Sequence, residues 1–414
     1  MSKFIDTTHQ YYKFWRGPSL AIVFSILTAS LLTGCGQKIE TDQELKPAHW
    51  KHLHALPKPK EALSQTFRVL IWRDYLDPEI IAYFEKAYGT KIEITYFESN
   101  KELKNIFARN PDDFDLLMPS DYVVDKYRKI GNLIAPIRKE NIPNLGHISP
   151  ILFQSTYDPE LVYSVPMFYS SLGVSFNSKK VDHIPRNFSL RAKSNRENLL
   201  LHGYRAMLDE PRISLSAALL DDGVDPNKPT LKQLTDAAER IIRDSNELGT
   251  IYLADELSER LGKNEIMLAV DWSGSAASAF QANPAIRFVL PEGPKYLSID
   301  SFVIPLSSKN RYTAEFFINF LLIPEISAGL TNYSYFANSN KSSHPYIMRE
   351  ILLGPAYIEP PTNSRMFFAD LGDMDEDFEI AWSKVKNAST VVKAKVPDLL
   401  KHNEAAIDQH ERKR

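Results

Sequence analysis

Cysteine is scarce in this chain of 414 residues and a surplus of basic charge is absent, and each of these facts argues against a class of protein. Cys35 is the only cysteine, and the sequence has no zinc-type Cys/His spacing, no P-loop and no GxGxxG loop. Lysine and arginine total 49 against 52 acidic residues, a formal net charge of −3. We therefore expect no metal, no cofactor and no nucleic-acid partner, since nucleic-acid binders normally carry a basic surplus.

The apolar run near the amino terminus is too short to span a bilayer comfortably. It covers residues 19–32, follows two basic residues and has the length of a secretory signal core. It ends in Leu32-Thr33-Gly34-Cys35, which matches the bacterial lipobox. We predict a lipoprotein signal peptide at residues 1–34 and lipidation of Cys35. The alternative is an ordinary signal peptide followed by an incidental cysteine.

The length and composition of the remaining chain predict more than one compact part. A chain of 414 residues exceeds the usual size of a single core, so two lobes are expected. Residues 35–66 lack helical or strand periodicity and carry scattered charged residues and prolines. We interpret them as a flexible tether.

Residues 67–97 predict a strand, a helix and a second strand. The first strand is apolar to Trp72, the helix begins at Asp77-Pro78, and the second strand alternates in polarity. A βαβ unit of this length makes the two strands parallel neighbours. Trp72, Asp74 and Tyr75 would then lie at the carboxyl end of a strand, where open α/β sheets bind ligands.

The same succession of strand, polar turn and helix recurs twice more. Its turns carry Glu98 and Ser99, and then Ser120, Asp121 and Tyr122. If these strands share a sheet, the three turns meet at one edge of it. We place half of a binding site there.

The later chain gives further predictions about extended segments and helices. Residues 163–169 and 173–177 predict extended segments around a small-residue hinge at Ser170-Ser171, and residues 186–205 predict a solvated surface excursion. Asp300 is predicted between two short strands, and residues 375–386 predict a terminal helix with one apolar face.

Seven motifs resemble, in order, the spermidine/putrescine-binding periplasmic proteins of ABC importers. They are Ile71-Trp72-Arg73-Asp74-Tyr75, Phe97-Glu98-Ser99-Asn100, Phe114-Asp115-Leu116-Leu117-Met118-Pro119-Ser120, Tyr163-Ser164-Val165-Pro166, Trp272-Ser273-Gly274-Ser275, Asp300-Ser301-Phe302-Val303-Ile304-Pro305 and Phe317-Ile318-Asn319-Phe320-Leu321-Leu322. The resemblance implies an α/β, two-lobed periplasmic binding protein fold of type II. Lobe one would hold residues 67–170 plus 299–340 and lobe two residues 171–298 plus 341–414, closing on a ligand by a hinge motion.

The resemblance also implies a ligand site built from carboxylates and aromatic rings. By motif, the ligand-binding residues would be Trp72, Asp74, Tyr75, Ser120, Tyr122, Glu210, Trp272, Asp300 and Phe336. Asp300 would hold an ammonium group and Trp72 and Trp272 would cover the aliphatic stem, with Asp300 and Trp272 opposite the first turn. By residue type alone, a tryptophan at a strand end also suits core packing, and Asp74 or Ser120 also suits a helix cap.

Five positions depart from the family pattern. Arg73 stands where relatives usually carry serine or threonine, Ser298 where the spermidine-binding relative has tryptophan, and Ser275 where the putrescine-binding relative has aspartate. Ile213 replaces the second member of an acidic pair, and Phe336 replaces a tyrosine.

The resemblance implies a periplasmic, lipid-anchored binding protein that captures a polyamine and delivers it to an inner-membrane ABC permease. No catalytic residues are expected, because no nucleophile–base pair is evident. One alternative is a zwitterionic or anionic solute such as an amino acid, held by Arg73 and Asp300 together. Another is a tethered sensor that reports ligand occupancy to a membrane partner.

Overall fold

A long mixed β-sheet forms the centre of the part of the chain that the structure describes. The computed structural model describes residues 53, 56–154, 157–254 and 256–388. The predicted signal peptide and Cys35 lie outside these residues. All the described residues belong to the second of two units, Lys46–Arg414.

The strands of the described residues share one order, β2-β1-β3-β9-β4-β7-β5-β6, with three short strands beside this path. Their bounds are β1 Thr66–Trp72, β2 Lys91–Phe97, β3 Leu116–Leu117, β4 Ser164–Asn177, β5 Arg205–Leu208, β6 Thr250–Leu253, β7 Leu268–Trp272, β8 Ile286–Val289, β9 Lys295–Val303, β10 Ala337–Asn338 and β11 Arg365–Met366.

Helices connect most of these strands and cover the sheet. Their bounds are α1 Pro78–Tyr88, α2 Asn100–Arg109, α3 Asp121–Ile130, α4 Asn195–Leu200, α5 Pro211–Asp221, α6 Leu231–Leu248, α7 Leu257–Gly262, α8 Ser273–Ala282, α9 Arg311–Leu321, α10 Pro324–Ser334, α11 Arg349–Leu352 and α12 Met374–Ala388. Within the described ranges no single helix has the length and apolarity to cross a membrane; α9 and α10, bent by 78°, reach that threshold only as a pair.

The predicted strand–helix–strand unit is confirmed. The side chain of Asp77 caps α1 by accepting a hydrogen bond from Glu79 N (2.8 Å), and Gly89 ends the helix at φ +70°. That left-handed backbone favours glycine. β1 and β2 pair in parallel from Thr66↔Lys91 to Trp72↔Phe97, so both strands end at the same edge.

β4 joins two parts of the sheet. Its first half pairs antiparallel with β9, and its second half pairs antiparallel with β7 and β8. The predicted pair of extended segments is therefore one continuous strand. Ser170 and Ser171 lie at the changeover, where Ser170 Oγ meets Ser273 Oγ at 3.0 Å. Two parallel strand groups, β1–β3 and β5–β7, thus flank a shared antiparallel centre, as the two-lobed expectation requires.

Apolar helices pack against each part of the sheet. All but one residue of α9 is buried, because this helix is apolar on nearly every side. Its Phe317 ring lies 5.0 Å from that of Phe84 and 5.5 Å from that of Phe67, both edge to face. On α12 the predicted apolar face is confirmed, with Phe378, Ala381, Trp382 and Val385 buried.

Two predictions about local structure are wrong. The segment before β5 is not a solvated excursion: Phe188, Leu190 and Arg205 are buried, and Arg205 has no exposed surface. Its guanidinium tolerates burial because it donates to Leu190 O at 2.8 Å and to Asn198 Oδ1 at 2.9 Å. Asp300 lies inside β9 rather than between two strands.

The last part of the predicted tether is packed on the domain. Lys60 N donates to the Tyr312 hydroxyl at 2.6 Å, and Ser64 N donates to Thr313 Oγ1 at 2.9 Å. Tyr88 donates from its hydroxyl to Pro57 O at 2.9 Å. Residues 57–64 are thus held against α1 and the start of α9.

Candidate functional site

All nine residues predicted to bind a ligand line one cleft of about 300 Å³. They are Trp72, Asp74, Tyr75, Ser120, Tyr122, Glu210, Trp272, Asp300 and Phe336. The other four positions that depart from the family pattern, Arg73, Ile213, Ser275 and Ser298, line the same cleft. The strand ends and helix starts of both parts of the sheet therefore converge on it.

The turn after β1 contributes both an exposed and a buried group. Asp74 is exposed and adopts a left-handed backbone with φ +62°, which aspartate tolerates better than most residues because its side chain is short and polar. This turn directs Tyr75 inward, where the ring is buried and lies 4.7 Å from Phe168. Trp72 packs at 4.5 Å against Phe97, the residue that ends β2.

Asp300 is the most deeply enclosed carboxyl group of the cleft wall, with 8% of its surface exposed. Its Oδ2 accepts a hydrogen bond from the Tyr75 hydroxyl at 2.8 Å, and its Oδ1 accepts one from Ser120 Oγ at 2.7 Å. Burial raises the pKa of Asp300 to about 6, and these two donors partly offset that rise. Asp300 therefore lies beside the first turn, and the expectation that it faces that turn from the opposite wall is wrong.

Asn100 is a site residue that the sequence reasoning missed. Its Nδ2 donates to Ser120 Oγ at 3.0 Å, and its Oδ1 accepts from Ser120 N at 3.1 Å. Because Ser120 Oγ already accepts from Asn100, its own proton is directed to Asp300. Asn100 is first in α2 and appeared in the sequence analysis only as the last residue of the motif Phe97-Glu98-Ser99-Asn100. No local pattern indicated that it would contact Ser120, 20 residues further along the chain.

The indole N–H of Trp72 makes no hydrogen bond to any of the described residues. Trp72 approaches Asp300 closely enough to lower the pKa of that carboxyl group. Its Nε1 is nevertheless buried without a hydrogen-bond partner among the described residues. The geometry between the two groups thus falls short of a hydrogen bond, and the polar lining beside Asp300 is incompletely satisfied.

Glu210 is the second carboxyl group beside this wall. It precedes α5, and its Oε1 accepts a hydrogen bond from the Tyr122 hydroxyl at 3.2 Å. Burial is the main cause that raises the pKa of Glu210 to about 7, and Asp300 adds to the rise. Tyr122 follows Ser120 by two residues, so Glu210 and Asp300 are linked to the same turn.

Trp272 and the first turn of α8 form another wall. Trp272 ends β7, and its backbone N–H donates to Asp271 Oδ1 at 2.8 Å. Gly274 lies directly against the ring of Phe336, because a Cβ at that position would be 2.4 Å from the ring. Phe336 in turn lies 5.0 Å from Tyr75, so aromatic rings extend from the first turn towards α8.

Arg73 lies at the rim of the cleft, where an acidic partner neutralises it. Its Nη2 is 3.1 Å from Glu98 Oε1, and its guanidinium lies 5.5 Å from the centre of the Tyr96 ring. Both charged side chains are about half exposed, at 52% and 50%.

Negative charge predominates among the residues that line the cleft. Arg73 is the one lining cation among the described residues, against the carboxylates of Asp74, Glu98, Asp209, Glu210 and Asp300. Within the described ranges, no group of three or more histidine, cysteine or acidic side chains is arranged to hold a metal. Carboxylates beside aromatic rings suit a ligand with a cationic end and an apolar stem.

Comparison with known families gives an extensive match. The profile of the family described as "Bacterial extracellular solute-binding protein" matches residues 79–350, more than half of the chain. The chain spans most of each relative described below.

Two curated relatives and one solved structure illustrate the similarity. The putrescine-binding periplasmic protein PotF of Escherichia coli (strain K12) is 26% identical over 345 residues, which cover 79% of this chain and 92% of PotF. The spermidine/putrescine-binding periplasmic protein of Salmonella typhimurium is 27% identical over 321 residues, 76% of this chain and 90% of that protein. A putative spermidine/putrescine ABC transporter from Listeria monocytogenes has a TM-score of 0.70 and 26% identity, covering 78% of this chain and 99% of that one. The expected resemblance and the α/β two-lobed fold are confirmed.

Proposed function

The chain belongs to the family of bacterial extracellular solute-binding proteins, and from that premise we propose that it captures a polyamine such as putrescine or spermidine in the cleft and delivers it to the permease of an ABC importer. Like the other members of its family and the relatives described above, it is a solute-binding protein and not an enzyme. The single observation that carries the polyamine proposal is the buried carboxyl group of Asp300, held by Tyr75 and Ser120.

Asp300 supports an ammonium ligand through its burial and its fixed orientation. A buried carboxylate is destabilised until a cation or enough donors compensate it, and its raised pKa of about 6 reflects that deficit. An ammonium group supplies both a charge and up to three donors. Tyr75 donates one hydrogen bond to Oδ2 of Asp300, and Ser120 donates one to Oδ1. The second lone pair of each oxygen is therefore available to such a ligand.

The aromatic rings support a ligand with a methylene stem. Trp72, Tyr75, Trp272 and Phe336 line the same cleft as Asp300. An alkyl chain between them would be removed from water, and the ring faces would attract a nearby ammonium group by about 0.5–2 kcal/mol. Relatives whose names specify putrescine or spermidine support the same choice.

The pairing of Arg73 supports a cation over a zwitterion. Binding an amino acid through Arg73 would require its guanidinium to leave Glu98, which is 3.1 Å away. The Arg73→Ser variant tests this alternative. Affinity for polyamines should change little, whereas a loss of affinity for an amino acid that binds the parent would favour the zwitterion.

Anchoring and closure complete the proposal. Lipid on Cys35 would hold the protein at the membrane surface, in the periplasm, close to its permease. Lobe one (residues 67–170 plus 299–340) and lobe two (171–298 plus 341–414) would close about the changeover in β4. A tethered sensor would use the same cleft, and the presence of permease and ATPase genes beside its own gene would favour import.

Calorimetry of the purified protein with putrescine, spermidine and cadaverine tests the proposal. We expect one-to-one binding in the micromolar range for at least one of them. Asp300→Asn should weaken it, while Asp236→Asn, which removes an exposed carboxylate paired with Lys232, should not. Absence of binding by all three amines at millimolar concentration would refute the polyamine assignment.

A further inference from the structure

Lysines beside the cleft face carboxylates of the helix α12, and we infer that these ion pairs form a clasp that holds the two lobes closed. The charged clasp consists of Lys101, Lys104, Lys126, Asp375 and Glu379. The inference rests on the proposed function, because it takes over the proposed division into two closing lobes. It adds a contribution to closure that does not come from the ligand.

The lysines of the clasp belong to two helices that also shape the cleft. α2 carries Lys101 and Lys104, and α3 carries Lys126. Both helices begin at the cleft, since Asn100 is first in α2, Tyr122 is second in α3, and both side chains line it. In the proposed division both helices belong to lobe one. A force on the lysines therefore acts on a wall of the cleft.

The carboxylates of the clasp belong to α12, which packs on elements of the proposed lobe two. The apolar face of α12 is buried against α5 and α6. The Trp382 ring lies 4.9 Å from that of Tyr252 in β6, and Trp382 Nε1 donates to Asp209 Oδ1 at 2.8 Å. Asp375 and Glu379 are four residues apart, so they lie on the same side of the helix.

Three ion pairs join the two sets of charges. Lys101 Nζ lies 2.7 Å from Glu379 Oε2. Asp375 Oδ2 lies 2.9 Å from Lys126 Nζ and 3.6 Å from Lys104 Nζ, so one carboxylate is shared by lysines of α2 and α3. The Asp375 side chain is only 22% exposed, which reduces the screening of its charge by water. Charges that form such a network contribute more than isolated surface pairs.

The clasp adjoins the ligand cleft. Its five residues line a second cavity of about 480 Å³, which shares Ser99, Tyr122, Asp209 and Glu210 with the lining of the cleft. The Tyr122 hydroxyl, on the proposed lobe one, donates to Glu210, on the proposed lobe two, at 3.2 Å. Formation of the ion pairs would therefore bring these two cleft residues together. A ligand that binds the closed form gains affinity from any contact that favours that form.

Charge reversal at the pair of Lys101 and Glu379 tests the inference. Both side chains are accessible to water, at 62% and 37%, and neither lines the cleft. Glu379→Lys replaces an attraction between the lobes with a repulsion. We expect calorimetry to show about tenfold weaker binding of putrescine. Small-angle X-ray scattering of the protein without ligand should show a larger radius of gyration.

The double variant Lys101→Glu with Glu379→Lys supplies the rescue. It restores a pair of opposite charges, so affinity and radius of gyration should return to the values of the parent. Lys101→Glu alone should act like Glu379→Lys and replaces that variant should it fail to fold. Salt gives a further readout that a merely structural role would not move. The difference between the parent and Glu379→Lys should shrink when NaCl is raised from about 50 to about 500 mM, because salt screens partly exposed charges.

Asp236→Lys is the matched control. It changes the net charge by the same amount as Glu379→Lys, but Asp236 pairs with Lys232 within α6 and so bridges no lobes. We expect it to leave both the affinity and the radius of gyration unchanged.

The outcomes separate the clasp from the proposed function. An unchanged affinity or an unchanged radius of gyration in Glu379→Lys overturns the clasp, and so does a double variant that behaves like Glu379→Lys. Each of these results leaves the polyamine proposal standing. Failure of the parent to bind putrescine, spermidine and cadaverine overturns the polyamine proposal, and the scattering data, which need no ligand, then decide on the clasp.

Discussion

Replacing Asp300 with asparagine removes the charge of the proposed ammonium site and turns one of the two accepting oxygens into a donor. Asparagine has the same shape, and its Oδ1 can still accept a hydrogen bond from Ser120 or Tyr75, which now hold the carboxyl group at 2.7 and 2.8 Å. A charge-assisted hydrogen bond contributes about 1.5–3 kcal/mol. We therefore expect the affinity for the amine to fall about ten- to a hundredfold in the Asp300→Asn variant.

The same substitution should stabilise the protein without ligand at alkaline pH. The pKa of Asp300 is raised from 3.8 to about 6, so the folded state favours the protonated form. This contribution to stability is fully present below the ordinary pKa and is lost as pH rises through about 6. A raised pKa of about two units lowers the free energy of unfolding at high pH by on the order of 3 kcal/mol. Asparagine does not titrate, so the variant does not lose this free energy.

Two measurements on the same variant pair check both expectations. Calorimetry gives the affinities, and urea unfolding without ligand at pH 5 and pH 8 gives the free energies of unfolding. The variant should bind more weakly yet unfold at higher urea than the parent at pH 8, with a smaller difference at pH 5. An unchanged affinity, or a variant that is less stable at pH 8, would refute the reasoning; Asp236→Asn should behave like the parent in both assays.

Three further predictions concern the same cleft. Amine affinity should fall about tenfold between pH 7.5 and pH 5, because protonation of Asp300, with a pKa of about 6, competes with the cation; calorimetry showing equal affinities would contradict this. Asn100→Asp should draw the Ser120 proton away from Asp300 and raise the pH at which affinity is half lost, whereas a structural role alone would leave that midpoint unchanged. Trp272→Leu should weaken amine binding by about 0.5–2 kcal/mol through loss of the ring face, with urea unfolding as the control for stability; equal affinity would remove Trp272 from the site.

Elements whose signals are local in sequence were predictable. Asp77-Pro78 and Gly89 mark the ends of α1 because a cap, a fixed φ and a left-handed residue act within a few positions of the chain. Parallel pairing of β1 and β2 follows from the short connection between them. The convergence of the nine site residues on one cleft follows from their positions at strand ends and helix starts, together with the family resemblance.

Features that depend on contacts distant in sequence were not predictable. The direction of Arg73 is determined by Glu98, which β2 brings beside it, and no local pattern distinguishes the rim from the interior. Burial of Arg205 depends on carbonyl groups of Leu190 and Asn198 that face it only in the folded chain. The link from Asn100 through Ser120 to Asp300 joins three separate elements, so it emerges only when the sheet is assembled.

A crystal structure of the protein with its bound amine tests the central claim most directly. We predict a nitrogen of the ligand within hydrogen-bond distance of Asp300, with the alkyl stem between Trp72 and Trp272. A ligand whose anionic group occupies the position next to Asp300, or an amine held elsewhere with Asp300 unengaged, would contradict the account.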